Sequence, residues 1–179
     1  MRDQGYTVLD ADILAREVTQ PGSFGLEALV QVFGKDILKN NVELDRGLLA
    51  RRIFDDEKSR RVVERITHPL IQWRAAQEIK RHGDQGEQII FYDAALIFEK
   101  GLQGKFFKIL VVHCPAETQI RRLVERDKIS PEQAQKRLLA QMPIVEKIPL
   151  ADYLVDNGGS LADTKKQVAT VIEAIKNSM

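Results

Sequence analysis

Four short apolar runs alternate with longer stretches of helical pattern along this chain. The third run is the strongest signal, because residues 107–113 are almost continuously apolar, as is typical of a strand buried on both faces of a parallel sheet. Strands that alternate with helices predict an α/β layer architecture with right-handed crossovers. The predicted strands span residues 6–9, 88–92, 107–113 and 153–155.

The connection between the first two strands is too long for one crossover helix. Its apolar spacing predicts several helices, with Asp45 suited to an N-cap and Gly34 to a helix end. We interpret this region as a helical subdomain inserted beside the end of the first strand. A second helical excursion follows the third strand, and an amphipathic helix follows the fourth. The predicted helices span residues 13–19, 24–33, 45–54, 57–81 and 161–176, with two more that begin at Pro115 and Ser130.

Two carboxylates stand where the first predicted strand ends and the next helix begins. Asp10 and Asp12 are two residues apart, so both can face one ligand, and Arg16 follows one helical turn later. Ligands of open α/β sheets bind at the carboxyl ends of the strands, where a carboxylate can accept a hydroxyl proton or help to hold Mg2+. The same spacing equally allows Asp10 to cap the helix and Asp12 to be solvated. The residues alone leave both interpretations open.

Three other polar positions carry weaker signals. Asp93 ends the second predicted strand and mirrors Asp12 on a neighbouring strand, whereas Glu99, six residues later, is better interpreted as surface charge. His68 lies in a predicted helix, and a lone histidine there is more often structural than functional. Pro69 follows it, and a proline at this position is expected to kink or restart the helix.

Charge and cysteine content restrict the functions that the chain can perform. With 27 basic and 26 acidic residues, the net charge of +1 gives no global case for nucleic-acid or membrane binding, so any anion site must be local. Arginines are concentrated between Arg121 and Arg137, where they either bind phosphate or form a solvated helix face. The single cysteine, Cys114, excludes an internal disulfide and a multi-cysteine zinc cluster, which favours a reducing cytoplasm.

Taken in order, these segments closely resemble the dephospho-coenzyme A kinase family. The matching motifs cover the chain from end to end at the family's spacing. They are Val8-Leu9-Asp10-Ala11-Asp12, Ala15-Arg16, Pro21-Gly22, Phe33-Gly34, Leu44-Asp45-Arg46, Arg52-Ile53-Phe54, His68-Pro69-Leu70-Ile71, Asp93, Leu96-Ile97-Phe98-Glu99, Arg126-Asp127, Ala140-Gln141-Met142-Pro143 and Ala151-Asp152-Tyr153-Leu154-Val155-Asp156-Asn157.

The resemblance implies a P-loop kinase fold, in which a three-layer domain spanning residues 1–179 is built on a parallel five-stranded sheet. It implies a helical coenzyme-A-binding insertion at residues 13–82 and lid helices at residues 115–150. The implied reaction transfers the γ-phosphoryl group of ATP to the 3′-hydroxyl of dephospho-coenzyme A, the last step of coenzyme A synthesis, with Mg2+. We expect dephospho-coenzyme A and ATP as partners, with no nucleic acid and no membrane, and a cytoplasmic monomer or weak homo-oligomer.

The family's functional positions transfer to this sequence one by one. In the resemblance, Asp12 receives the proton of the ribose hydroxyl, and Arg126 also acts in catalysis. The acceptor side comprises Asp10, Arg16, His68 and Asp93, and the ATP side comprises Arg126, Arg137 and Asn157, with no dedicated set of metal ligands.

The sequence departs from the family pattern at three places. Ala94-Ala95 stands where Val-Pro or Ile-Pro is usual, and Lys147 stands where a lid arginine is common. No Gly-x-x-x-x-Gly-Lys-Ser phosphate loop is present, and the spacing around Gly104-Lys105 does not match it.

From the missing loop we expect an N-terminally shortened form that lacks the central strand of the family's sheet. The flanking strands would then close together or leave backbone groups unpaired, and phosphoryl transfer would be impaired. The alternative is a non-catalytic protein that binds coenzyme A or nucleotides; a different nucleotide kinase is disfavoured by the ordered motifs.

Overall fold

The computed structural model describes residues 1–54 and 56–179, which form two compact units, Met1–Ala94 and Ala95–Met179. The first unit contains two parallel strands, a small hairpin and four helices among its described residues. In chain order they are β1 (Thr7–Asp10), α1 (Ala11–Glu17), α2 (Phe24–Phe33), β2 (Leu38–Lys39), β3 (Glu43–Leu44), α3 (Arg46–Phe54), α4 (Glu57–Asp84) and β4 (Ile90–Asp93).

The second unit contains another pair of parallel strands and four helices. In chain order they are β5 (Leu110–His113), α5 (Ala116–Asp127), α6 (Pro131–Leu139), α7 (Ile144–Lys147), β6 (Tyr153–Asp156) and α8 (Leu161–Asn177). No helix of the described residues is long and apolar enough to cross a membrane.

The alternation of strands and helices confirms the predicted α/β class. β1 pairs in parallel with β4, β5 pairs in parallel with β6, and β2 and β3 form an antiparallel hairpin. Over residues 1–54 and 56–179 these pairs are three separate two-stranded sheets, and not the single parallel sheet that the resemblance implies. Each parallel pair is nevertheless joined through helices, as the long crossovers of parallel strands require.

The helical insertion owes its shape to local capping and to one apolar cluster. Ser23 and Asp45 accept hydrogen bonds from the amides three residues later, Leu26 and Leu48, at 3.2 and 2.7 Å, so α2 and α3 begin where the sequence predicts. The side chains of α2, α3 and the hairpin then pack together. The buried members of this cluster are Leu26, Leu29, Phe33, Ile37, Leu44 and Leu49.

The long helix predicted over residues 57–81 is confirmed: α4 is one helix from Glu57 to Asp84, and it does not restart at Pro69, which is exposed. One prediction about a strand is wrong. The third strand begins at Leu110, three residues later than predicted, because the Asp152 carboxylate accepts the Ile109 amide proton at 2.8 Å before the ladder with β6 starts. Val112 is also 50% exposed, so this strand is not buried on both faces.

Candidate active site

The carboxylates of the first unit converge at one strand end. β1 and β4 pair in a register that sets Asp10 beside Asp93. One oxygen of Asp10 accepts the amide protons of Asp12 at 2.8 Å and Ile13 at 3.2 Å, so Asp10 is the N-cap of α1. Asp12 is exposed in the first turn of α1, and its carboxylate accepts no hydrogen bond within the part of the chain that the structure describes. The two aspartates therefore have different roles.

Electrostatics at this strand end point to crowding of negative charge. The pKa of Asp93 lies above its usual range, chiefly because the carboxyl group is partly desolvated and then because Asp10 and Asp12 are near; Arg2 opposes the shift. Among the described residues, no three histidine, cysteine or acidic side chains lie close enough to hold a metal ion by themselves. A cation or a proton at this edge would relieve the repulsion.

Two further residues predicted to bind the acceptor substrate lie on helices α1 and α4. Arg16 is exposed in the last turn of α1, four residues after Asp12, and His68 is half-buried in the middle of α4. An ion pair between Glu17 and Arg74, with a separation of 2.9 Å, ties α1 to α4. This pair fixes the helix that carries Asp12 and Arg16.

In the second unit, one carboxylate holds both predicted ATP arginines. Asp127 accepts from Arg126 Nε at 2.7 Å and from Arg137 Nη1 at 2.6 Å, so it joins α5 to α6. The hydrogen bond from Arg126 is the largest cause of the lowered pKa of Asp127, and Asp127 in turn raises the pKa of Arg126. Both arginine side chains remain more than half exposed. The sequence placed Asp127 in a motif but gave it no function.

Glu99 and Lys147 form a buried ion pair, which contradicts the interpretation of Glu99 as surface charge. Lys147 Nζ lies 2.7 Å from a Glu99 oxygen and donates to the Ala95 carbonyl at 2.9 Å, and the Met142 amide donates to the same Glu99 oxygen. The other Glu99 oxygen is buried without a partner in the described structure. Burial opposes ionisation of Glu99, but the hydrogen bonds from Lys147 and Met142 outweigh it and lower its pKa. Lys147 therefore pairs with Glu99 inside the second unit.

Asn157 follows β6 and is held from several sides. Its amide donates to the His113 carbonyl at 2.7 Å, its carbonyl accepts from Arg122 at 2.8 Å, and its side-chain oxygen accepts from Thr164 at 3.1 Å. Its side-chain nitrogen forms no hydrogen bond with any residue that the structure describes.

The predicted residues thus fall into two sets, Asp10, Asp12, Arg16, His68 and Asp93 in the first unit and Arg126, Arg137 and Asn157 in the second.

A family model and several curated proteins match this chain over most of its length. The family model for CoaE, dephospho-CoA kinase, matches residues 1–163. The chain is 39% identical to a dephospho-CoA kinase of Listeria innocua, over 99% of this chain and 89% of that protein, and 34% identical to one of Carboxydothermus hydrogenoformans, over 98% and 85%.

Two solved structures are similar to this fold. A crystal structure of a Thermus thermophilus protein superposes with a TM-score of 0.83 at 31% identity, covering 97% of this chain and 86% of that one. A dephospho-CoA kinase from Campylobacter jejuni gives a TM-score of 0.71 at 29% identity, covering 99% and 89%. This chain, with its two aspartates at the end of β1, therefore belongs to the dephospho-CoA kinase family, a family of ATP-dependent kinases.

Proposed function

We propose that Asp12 is the base that receives the 3′-hydroxyl proton of dephospho-coenzyme A as the γ-phosphoryl group of ATP is transferred. The observation that carries this assignment is the difference between the two aspartates: Asp10 is occupied as a helix cap, and the Asp12 carboxylate is exposed beside it. A base must lie within hydrogen-bond reach of the proton it accepts, and its acceptor oxygens must be available.

The neighbouring charges suit an acceptor nucleotide. Asp93 faces Asp10 across the β1–β4 pair, and Arg16 lies one turn beyond Asp12. We infer that the helical insertion, residues 13–82, binds the acceptor, with Asp10 supporting the strand end and His68 contributing from α4. Phosphoryl transfer depends mainly on positioning and charge neutralisation, which these residues can supply without covalent chemistry.

We infer that the lid helices, residues 115–150, supply the ATP contacts. Arg126 and Arg137 would pair with the phosphate oxygens, since guanidinium groups bind phosphate in a bidentate manner, and the Asn157 side-chain nitrogen would face the adenine. With Asp12 assigned as the base, Asp93 is the carboxylate left at this strand end to assist Mg2+, which would be held mainly by phosphate oxygens and water, as Mg2+ usually binds in kinase sites. Bound there, Mg2+ neutralises charge on the transferring phosphates.

The polypeptide of residues 1–179 contains no Gly-x-x-x-x-Gly-Lys-Ser sequence to cradle the ATP phosphates. We therefore propose that a polypeptide of residues 1–179 by itself binds dephospho-coenzyme A and transfers phosphate to it slowly. For the protein we propose the reducing cytoplasm that its single cysteine favours, and a monomer or weak homo-oligomer. The second candidate, a protein that binds the acceptor without turnover, is favoured by the same missing loop.

One experiment separates these candidates. Isothermal titration measures the binding of dephospho-coenzyme A and of ATP separately. In a second assay the protein is in excess over dephospho-coenzyme A, and the coenzyme A that forms is detected. Asp12→Asn should lower the rate of coenzyme A formation about 10²- to 10⁴-fold and leave the affinity for dephospho-coenzyme A nearly unchanged. Glu27→Gln is the matched control, because Glu27 is also an exposed carboxylate in the first turn of a helix. Acceptor binding without any product in the wild type would establish the non-catalytic alternative.

A further inference from the structure

The side chain of Arg46 reaches the carboxyl end of α1, the helix that carries Arg16. Arg46, the first residue of α3, donates through Nη2 to the Thr19 hydroxyl at 2.7 Å and to the Arg16 carbonyl at 3.2 Å. Thr19 is 3% exposed and donates in turn to the Ala15 carbonyl at 2.8 Å. The Arg46 guanidinium is therefore anchored on a buried hydroxyl at the end of the helix that carries Arg16.

The two arginines are not neutralised by acidic groups. Glu17, the nearest carboxylate in sequence to Arg16, is engaged by Arg74. Neither Arg16 nor Arg46 forms an ion pair with any described residue, although Asp12 stands four positions from Arg16 on the same helix face. Partial burial lowers the pKa of Arg46, and the positive charge of Arg16 lowers it further. The positive charges of the two arginines therefore repel each other.

A helix cap alone does not explain this arrangement. A guanidinium group has five N–H donors, and the bonds of Arg46 to Thr19 and Arg16 both use one terminal nitrogen. The other terminal nitrogen and Nε keep their donors for an external acceptor. An anion that accepts from both arginines would satisfy these donors and remove the repulsion between the charges.

We propose that Arg16 and Arg46 form a binding site for the diphosphate group of the acceptor nucleotide. This inference rests on the proposed function, because the 5′-diphosphate is attached to the same ribose as the hydroxyl that Asp12 would deprotonate. Arg16 stands one turn from Asp12, a rise of about 6 Å along the helix axis, which is comparable to the span of one ribose. Asp12 and the arginine pair therefore bind neighbouring groups of a single nucleotide.

The inference is tested by titrating the full chain with dephospho-coenzyme A, adenosine and inorganic pyrophosphate. Arg46→Gln and Arg16→Gln should each weaken dephospho-coenzyme A binding about 10- to 100-fold, as expected for a lost charged hydrogen bond. Adenosine has no diphosphate, so its binding should be unchanged. Arg51→Gln is the matched control, because Arg51 is an exposed arginine on the same helix outside the site, and it should bind like the wild type.

Thermal unfolding identifies any variant that does not fold, and Arg46→Lys then replaces Arg46→Gln, since it keeps the charge but loses the planar fork. Arg46→Lys should bind more weakly than the wild type. The inference is overturned if the folded Arg46 variants bind dephospho-coenzyme A as tightly as Arg51→Gln does. If pyrophosphate binding depends on Arg46 but the wild type does not bind dephospho-coenzyme A, the anion site stands and the proposed acceptor is wrong.

Discussion

The two units differ in how the charge of their basic side chains is balanced. In the first unit, the Arg46 guanidinium donates to the Arg16 carbonyl, and neither arginine forms an ion pair with a carboxylate among the described residues. In the second, Arg126 and Arg137 share Asp127, and Lys147 is buried against Glu99. One unit therefore offers uncompensated positive charge to an anion, whereas in the other an internal carboxylate offsets part of the positive charge.

This difference suits the two substrates proposed for the protein. A site with uncompensated charge gains the full interaction when an anion arrives, because no internal pair has to be broken first. Arginines held by Asp127 keep a defined position, yet the negative charge of Asp127 offsets part of their attraction for ATP phosphates. Exposed ion pairs contribute only about 0.2–1 kcal/mol each, so phosphates can displace Asp127, whereas the buried Lys147 pair should not exchange.

The largest effect is expected from breaking the buried pair. Lys147→Met leaves Glu99 charged and unpaired inside the second unit, which should lower the free energy of unfolding by about 3–5 kcal/mol in urea denaturation. The double variant Glu99→Gln/Lys147→Met should recover much of this loss. Lys80→Met is the control, because Lys80 and Asp84 form an exposed pair. Equal free energies of unfolding for Lys147→Met and Lys80→Met would show that the Glu99–Lys147 pair does not stabilise the fold.

A smaller effect is expected when the shared carboxylate of the lid is removed. Asp127→Asn leaves Arg126 and Arg137 uncompensated, as Arg16 and Arg46 already are, so affinity for inorganic tripolyphosphate should rise about three- to tenfold. Glu125→Gln changes the net charge equally on the same helix but removes no carboxylate bound to these arginines. Weaker binding by Asp127→Asn, measured by isothermal titration, would mean that Asp127 positions the arginines and does not compete with phosphate.

The smallest effect concerns the carboxylates at the end of β1 and β4. Because the pKa of Asp93 is raised in the folded state, folding takes up protons between the ordinary aspartate pKa, about 3.9, and the raised value. Stability is therefore lost as the pH rises through that window, and ionised Asp93 is unfavourable above it. Asp93→Asn should raise the melting temperature by about 1–2 °C at pH 7.

The same variant should lose its advantage at low pH, where Asp93 of the wild type is protonated. Melting curves recorded between pH 3 and pH 7 check this, with Glu27→Gln as an exposed control. If Asp93→Asn melts at a lower temperature than the wild type at pH 7, the negative charges at this strand end do not destabilise the fold.

Local interactions made much of the fold predictable. The side chains of Ser23 and Asp45 each accept a hydrogen bond from the amide three residues later, and Ser130 forms a capping box with Gln133. These helix starts therefore follow from short sequence motifs. The apolar runs likewise indicated all four parallel strands, and the order of the motifs indicated the family that the comparisons show. The start of β5 was misjudged, because Asp152, distant in sequence, takes the Ile109 amide.

The sequence by itself determined the element order, the helix caps and the pair of aspartates after β1, since each depends on neighbours within a few positions. Only the tertiary structure decided which charges meet. Arg46 reaches Thr19 across 27 positions, and Lys147 reaches Ala95 across 52. The sequence specifies which side chains carry charge, but the burial of these side chains and the partners they contact depend on which helices pack together. For that reason Lys147 became part of a buried pair, and Arg46 was placed beside Arg16.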